Sequence, residues 1–344
     1  MITDSVHILD ESKVKIYHPD IKKGLVGWMD CGGSNLAKIN EQLPGIVRIV
    51  VTTRIDHPDV RARQRAEEFD VPLVELDFRR YEEEHGVKPG DYFKALNPDM
   101  HHQIKSQLSP EQIIQVRKDV CRQFLDKIYD AMDKHDISRE IPMFAAGGMA
   151  LLSGEFVNSF YILNVHPGDL TKYSNDGITR GRRTIVGDGW IPPARAIAAG
   201  HESLYSSMHT MVPEMDAGPV HMRGYALPID YNWLMSKGDI RDPEVLKKVG
   251  SAAQETLKHI GDHVIAGATF LDLFDGRWGM HESGVLAYRA DALWHLAPNG
   301  IMIEDHVKYR NGYGSTLFKR DNEFIEGKVR EFYDAVTKII KGEK

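Results

Sequence analysis

Short apolar runs, each closed by small or turn-forming residues, alternate along this chain with polar stretches of roughly helical period. Gly24 to Asp30 (GLVGWMD) is such a run, and the stretch Asn35 to Gln42 after it is helix-like, which predicts a strand, a glycine turn and a helix N-terminus. Ile46 to Thr53 (IVRIVVTT) and Pro72 to Phe78 (PLVELDF) read as strands, with a charged helical segment around Arg61 to Glu68 between them. Alternating strand and helix signals predict an α/β fold. From Arg79 to Leu108 the period is lost. The acid run Glu82 to Glu84, two prolines and the pair His101 and His102 read as a solvated insertion.

A helix start is announced at Ser109-Pro110-Glu111-Gln112 by a Ser N-cap, a Pro at the first helical position and a Gln three residues after the cap. Val116, Val120, Phe124 and Ile128 then recur every fourth residue and predict the buried face. Pro142 to Gly148 and Phe160 to Pro167 are two further strand candidates, followed by a stretch rich in glycine and arginine from Ser174 to Gly189 and a short helix from Pro193 to Gly200. The segments LYSSMHTMV and GPVHMRGYALPI read as an antiparallel pair with Asp216-Ala217-Gly218 at the bend. A long helical region covers Asp242 to Phe274. The tail from Ile301 opens strand-like and ends in an amphipathic helix with Val329, Phe332, Val336 and Ile339 on one face.

At 344 residues, 42% hydrophobic and 27% charged, the chain can bury a full core. Its net charge of −7 gives no general attraction to polyanions and argues against broad nucleic-acid or acidic-membrane binding. No stretch approaches the apolar length of a membrane helix, so a cytoplasmic protein is expected. Cys31 and Cys121 stand far apart without a CxxC partner, which supports neither a disulfide framework nor a cysteine zinc site.

Three places carry candidate chemistry. Cys31-Gly32-Gly33-Ser34-Asn35 lies between a strand and a helix, where small residues and a helix N-terminus suit an anion such as phosphate. The Lys of a P-loop and the GxGxxG of a dinucleotide fingerprint are both missing, and taken alone the turn is equally an ordinary tight connection. Asn164 and His166 fall on the same side of a strand end, an amide donor and an imidazole suited to an oxyanion in acyl transfer. Taken alone, they also read as a turn former and a core histidine. Asp216, at a bend, is a carboxylate able to orient an imidazole or merely to cap a turn. No GxSxG nucleophile accompanies them, which implies direct transfer without a covalent intermediate.

Together these features resemble the phosphoribosylglycinamide formyltransferases, which use 10-formyltetrahydrofolate. The resemblance is carried in order by GGSNL, AGGMALLSGEFV (Ala146 to Val157), ILNVHP, SMHTMVPEMDAGPV (Ser207 to Val220) and DHVIAGATFLDLFDGRWGMHE (Asp262 to Glu282). It implies a Rossmann-like formyltransferase fold with a central, mainly parallel sheet and flanking helices. The catalytic domain would span 24–300, with an N-terminal extension at 1–23, the insertion at 79–108 and a C-terminal appendage at 301–344. The catalytic residues implied are Asn164, His166 and Asp216. Gly33, Ser34, Asn35 and Asp262 would bind the phosphorylated amine. Met149, Ala150, Leu151, Leu152, Asn164, Val212, Pro213, Glu214, Met215 and Asp216 would hold the folate, and His209 matches a family histidine. The resemblance implies a small-molecule amine and folate as partners, with no nucleic acid, no membrane and no metal, although His259 and His263 lie four apart on a helix; it leaves homo-oligomerisation open.

Departures gather on the acceptor side. Gly148-Met149-Ala150 replaces Phe-Met-Arg, Asp30-Cys31 opens the phosphate turn where Ser-Gly is usual, and Pro167-Gly168-Asp169-Leu170-Thr171 replaces Pro-Ser-Leu-Leu-Pro. The loop from Tyr173 to Pro192 is longer and carries Arg180, Arg182, Arg183 and Trp190. Asp30 is an awkward neighbour for a phosphate unless it points away. Glycinamide ribotide is the expected acceptor, with another phosphorylated amine or an amino sugar nucleotide as the alternative, and a non-catalytic folate or nucleotide binder as the second. Methionyl-tRNA is disfavoured because no basic C-terminal domain is evident.

Overall fold

In the computed structural model, which describes residues 9–16, 20–55, 57–147, 151–174, 182–187, 189–290, 292–310 and 318–342, the apolar runs of the N-terminal half become a parallel sheet. The described chain forms two units. One contains the described residues of Asp20–Asn164 with Met211–Met215, and the other those of 1–19, 165–210 and 216–344.

In the first unit, Leu73–Glu75, Val47–Thr52, Leu25–Trp28, Met143–Ala145 and Ile162–His166 pair in that spatial order, all parallel. The last strand runs on into the second unit after Asn164. Parallel strands are covered on both faces, which is why these runs are continuously apolar instead of alternating. Val26, Trp28, Ile49, Val51, Met143 and Ile162 pack with Val120, Phe124 and Ile128 of the helix Pro110–Lys134. That helix starts as expected: Ser109 Oγ accepts from the Gln112 N–H, and Gln112 Oε1 accepts from the Ser109 N–H. Its buried stripe differs at the first position. Ile113 is fully buried and Val116 only partly, with Arg117 turned inward between Ile113 and Val120.

The expected solvated insertion is ordered. It holds the helices Phe78–Glu84 and Asp91–Ala95 and a 3₁₀ turn at Pro98–Gln103, and Val87, Tyr92 and Ala95 pack with Ile113 in a small core of their own. These helices are too short to show a period. A buried carboxylate supplies the order instead: Asp91 accepts from the N–H groups of Lys105 and Ser106, the Ser106 hydroxyl and the Lys94 ammonium.

The second unit contains the expected antiparallel pair, Ser207–Thr210 with Val220–Arg223, and Ile301–Met302 runs parallel beside the latter. Val14–Ile16, Trp278–His281, Leu286–Ala290 and Leu293–Leu296 form an antiparallel sheet in that order, which the sequence pattern did not announce. The long helical region is two helices, Pro243–Leu257 and His263–Phe274, joined through a π-turn at Lys258–Asp262. Close approach explains that turn. A Cβ on Gly261 would lie 2.6 Å from Ser206 Oγ, and one on Gly224 would lie 2.6 Å from Gly261 Cα, so the helix backbone presses against the strand ends there.

The C-terminal segment is tied to the same unit by buried charge. Asp272 is fully buried and accepts from Tyr288 Oη at 3.0 Å, from His306 Nδ1 at 2.7 Å and from the Arg310 guanidinium, which also bonds Asp275. The final helix, Asn322–Lys341, is amphipathic as expected, with Phe332 and Val336 buried. Its Tyr333 hydroxyl donates to the Pro228 carbonyl and accepts from the Asp230 N–H.

Candidate functional site

In the parallel sheet the strand order reverses between Leu25–Trp28 and Met143–Ala145, and ligands of open α/β sheets bind beyond the carboxyl ends of strands at such a point. The Cys31-Gly32-Gly33 turn follows the first of these strands and opens the helix Ser34–Gln42. Gly33 is its N-cap at φ 63°, a left-handed conformation that favours glycine, and a Cβ there would lie 2.4 Å from Met29 Cε at the tip of a flexible side chain. Gly32 differs: a Cβ there meets nothing within 4 Å. Gly33 has no side chain with which to cap the helix, so the first N–H groups keep their donor capacity for an anion.

Asp30 does point away from the turn. Its carboxylate is buried and accepts from Trp28 Nε1 at 3.1 Å, Thr52 Oγ1 at 3.0 Å, the Thr53 N–H at 2.7 Å and Thr53 Oγ1 at 2.6 Å. These donors satisfy the carboxylate oxygens beside the strand Val47–Thr52 and hold them there. Thr52 and Thr53, read from sequence only as the end of a strand, are therefore what permits a carboxylate beside this turn.

The strand Ile162–His166 carries Asn164, half-buried, and His166, which is 2% exposed. In the second unit His166 Nδ1 lies 3.7 Å from Asp216 Oδ2, while His166 Nε2 donates to the Ile185 carbonyl at 2.8 Å. Asp216 occupies the expected bend, at φ 55°. Its other oxygen, Oδ1, lies 3.9 Å from His209 Nε2, so one carboxylate faces two imidazoles. The two rings are edge to face, 6.4 Å between centroids. His209 Nδ1 donates to the Thr210 carbonyl at 3.0 Å. Burial, with positive charge at His166 and Arg183 beside it, pushes His209 down to about 3, which leaves it neutral near pH 7.

The long loop after His166 reaches this pair. Gly187 N–H donates to Asp216 Oδ2 at 3.3 Å, and the Arg183 guanidinium bonds the Asp216 carbonyl and, at 2.8 Å, the Gly218 carbonyl. The sequence marked the loop as arginine-rich, but nothing in its pattern singled out Arg183. Ile185 and Gly187 act through backbone groups and leave no side-chain signal.

Asp262, the last residue of the π-turn, is buried beside His263 in the second unit. Of the expected folate contacts, Met149 and Ala150 lie outside the described residues. Leu151 and Leu152 belong to the first unit, where Leu152 packs on the main core and the Leu151 carbonyl accepts from Arg117 Nη1 at 2.7 Å. Arg117 also bonds Glu82 and lies over the Tyr92 ring at 4.6 Å, and burial raises the Glu82 carboxyl although Arg117 opposes this. A lone Arg on an apolar helix face was the available signal for this anchor. Val212, Pro213, Glu214 and Met215 follow Met211, whose N–H donates to the Ile162 carbonyl. Met215 is 55% exposed. His259 and His263 meet edge to face at 5.4 Å, and among the described residues no group of three His, Cys, Asp or Glu is placed to hold a metal ion. Among those residues, too, no helix is long and apolar enough to cross a membrane.

No family model and no curated protein matches the chain. Solved structures do resemble it loosely. A phosphoribosylglycinamide formyltransferase from Anaplasma phagocytophilum aligns over 78% of this chain and 96% of its own, at 17% identity and a TM-score of 0.45. A 4-N formyltransferase from Francisella tularensis aligns over 86% and 85%, at 11% identity and a TM-score of 0.39. An N-formyltransferase from Helicobacter canadensis, in complex with folinic acid and dTDP-3-aminofucose, aligns over 91% and 81%, at 10% identity and a TM-score of 0.37.

Proposed function

We propose that this chain is a folate-dependent formyltransferase that moves a formyl group from 10-formyltetrahydrofolate to a primary amine. The observation that carries the reading is the Asp216 carboxylate 3.7 Å from the imidazole of His166, on the strand end that also bears Asn164. A charged imidazole and a neutral amide donor are the two groups a developing oxyanion needs. The amine attacks the formyl carbon, Asn164 and the Nε2–H of His166 stabilise the oxyanion, and the bond to N10 of the folate breaks as that nitrogen takes up a proton in exchange for the one the attacking amine gives up. For this the Ile185 carbonyl yields Nε2 to the reacting oxygen. Asp216 sustains the positive ring and assists proton transfer. No side chain is consumed, in keeping with a sequence that lacks an activated serine or cysteine.

Leu151, Leu152 and Val212 to Asp216, with Met149 and Ala150, are assigned to the folate, and the exposed Met215 supports an apolar ring contact. Gly33, Ser34, Asn35 and Asp262 are assigned to the acceptor. Glycinamide ribotide is the leading acceptor because the uncapped helix start, with the Asp30 carboxylate turned away and hydrogen-bonded to Thr53, suits a compact dianion. The lengthened loop favours the second reading, an amino sugar nucleotide or another phosphorylated amine. A panel of amines offered with 10-formyltetrahydrofolate decides between them. The account expects ribotide to be formylated far faster than the corresponding riboside; equal rates would remove the phosphate from recognition and put a different amine first.

A further inference from the structure

Residues 182–187 form a bent segment with one β-bridge at Arg183, and within it Arg183, Ile185 and Gly187 meet the His166–Asp216 pair. Each of the three bonds the pair or its bend: Arg183 to the carbonyls of Asp216 and Gly218, Ile185 to His166 Nε2, and Gly187 to Asp216 Oδ2. The residues between them bond outward. The Arg182 carbonyl accepts from the Ser174 N–H, the Thr184 N–H donates to the Lys172 carbonyl, and the Val186 carbonyl accepts from Arg195 Nη1. Arg183 and Tyr173 face each other in an antiparallel bridge, with the guanidinium carbon 5.8 Å from the Tyr173 ring centre.

Asp216 needs such support. Its φ of 55° is uncommon for a residue with a side chain, and the bend's carbonyls need donors. We infer that Arg183 is a positioning residue for formyl transfer: by bonding the carbonyls of Asp216 and Gly218 together, it holds the left-handed bend that aims the Asp216 carboxylate at His166. The inference rests on the reading of the site given above. A planar fork of N–H donors spans two carbonyls at once, whereas an ammonium on a flexible stem offers no such fork. Arg183 also adds positive charge beside His209, whose pKa is lowered first by burial, then by His166 and then by Arg183.

The test compares Arg183→Gln, Arg183→Lys and Asp216→Asn, singly and combined, in the full chain. The His166 ring is titrated by NMR, and kcat and KM are measured separately. Arg183→Gln should lower kcat by up to about 10²-fold, the scale of a small misplacement, and leave KM for 10-formyltetrahydrofolate within about threefold. The titration midpoint of His166 should move in the same direction as in Asp216→Asn, and Arg183→Gln should add nothing once Asp216 is Asn. Arg183→Lys should recover only part of the lost kcat. Arg183→Gly should regain activity with millimolar guanidinium, which also covers the case in which the Gln variant does not fold. An unmoved His166 titration, or effects of Arg183→Gln and Asp216→Asn that multiply independently, would overturn the inference. Because the titration requires no turnover, a wild-type chain inactive toward every amine would sink the transfer reading while the Arg183 inference was still decided by NMR.

Discussion

His166 is where the account is most exposed at the scale of single residues. His166→Ala removes the donor and proton carrier and should lower turnover by ~10²–10⁴, while folate binding, followed by fluorescence titration, stays within a few-fold. Asn164→Ala should cost ~10²–10³ in kcat through the loss of one oxyanion donor. A loss confined to KM would remove Asn164 from the chemistry. Asp30→Ala tests a structural claim, because it strands the buried donors Thr53 N–H and Thr53 Oγ1. Urea unfolding should show a loss of about 1–3 kcal/mol, and a neutral result would mean that water replaces the carboxylate. At this scale the sequence was legible where a residue acts through its side chain in a short motif, as with Asn164, His166 and Asp216. It was silent where backbone groups act, as at Ile185 and Gly187, and where a partner comes from another strand, as Thr53 does for Asp30.

The glycine turn raises a question of elements, because its geometry dictates which substitution can probe it. Gly33→Asp would put charge against a phosphate, but it would also load a side chain onto a positive φ and push the tip of Met29 aside, so lost activity would mix strain with repulsion. Gly32→Asp adds the same charge where a Cβ meets nothing within 4 Å. It should erase the preference for a phosphorylated acceptor while stability changes by no more than about 0.5 kcal/mol. A preference that survives Gly32→Asp would mean that the turn holds no anion. Elements with strong local signals were readable in advance: the capped helix at Ser109, the parallel strands and the antiparallel pair around Asp216. The helices inside 79–108 escaped because each is a turn or two long, and buried carboxylates, Glu82 on Arg117 and Asp91 on Lys94, Lys105 and Ser106, stand in for a periodic apolar face. The sheet built on Trp278–His281 escaped because its strands are short and one partner, Val14–Ile16, is remote in sequence.

For the whole molecule, buried ionisable groups set how stability depends on pH. His209, held down to about 3 by burial and by the positive charges of His166 and Arg183, refuses a proton that the unfolded chain accepts below its ordinary 6.5. Stability should therefore be full above pH 6.5 and fall as pH drops toward 3, by up to about 1.4 kcal/mol per pH unit for this one group. Asp91 adds a second loss at lower pH. Although burial raises its pKa, the Lys94 and Ser106 side chains and the N–H groups of Ser106 and Lys105 outweigh that and hold it at about 2, so its contribution is lost as pH falls from 3.8 toward 2. Urea midpoints measured across this range should decline from 6.5 downward, and His209→Gln should flatten the upper part of the curve; an unaltered slope would show that His209 titrates normally. The central claim, that the His166–Asp216 pair drives formyl transfer, is met most directly by a single-turnover experiment. Wild-type chain and His166→Ala are each mixed with 10-formyltetrahydrofolate and glycinamide ribotide, and tetrahydrofolate and formylated amine are quantified together. Equal amounts of the two products should form, only when the amine is present and slowed by ~10²–10⁴ in the variant. Tetrahydrofolate without formylated amine, or a variant as fast as wild type, would contradict the central claim.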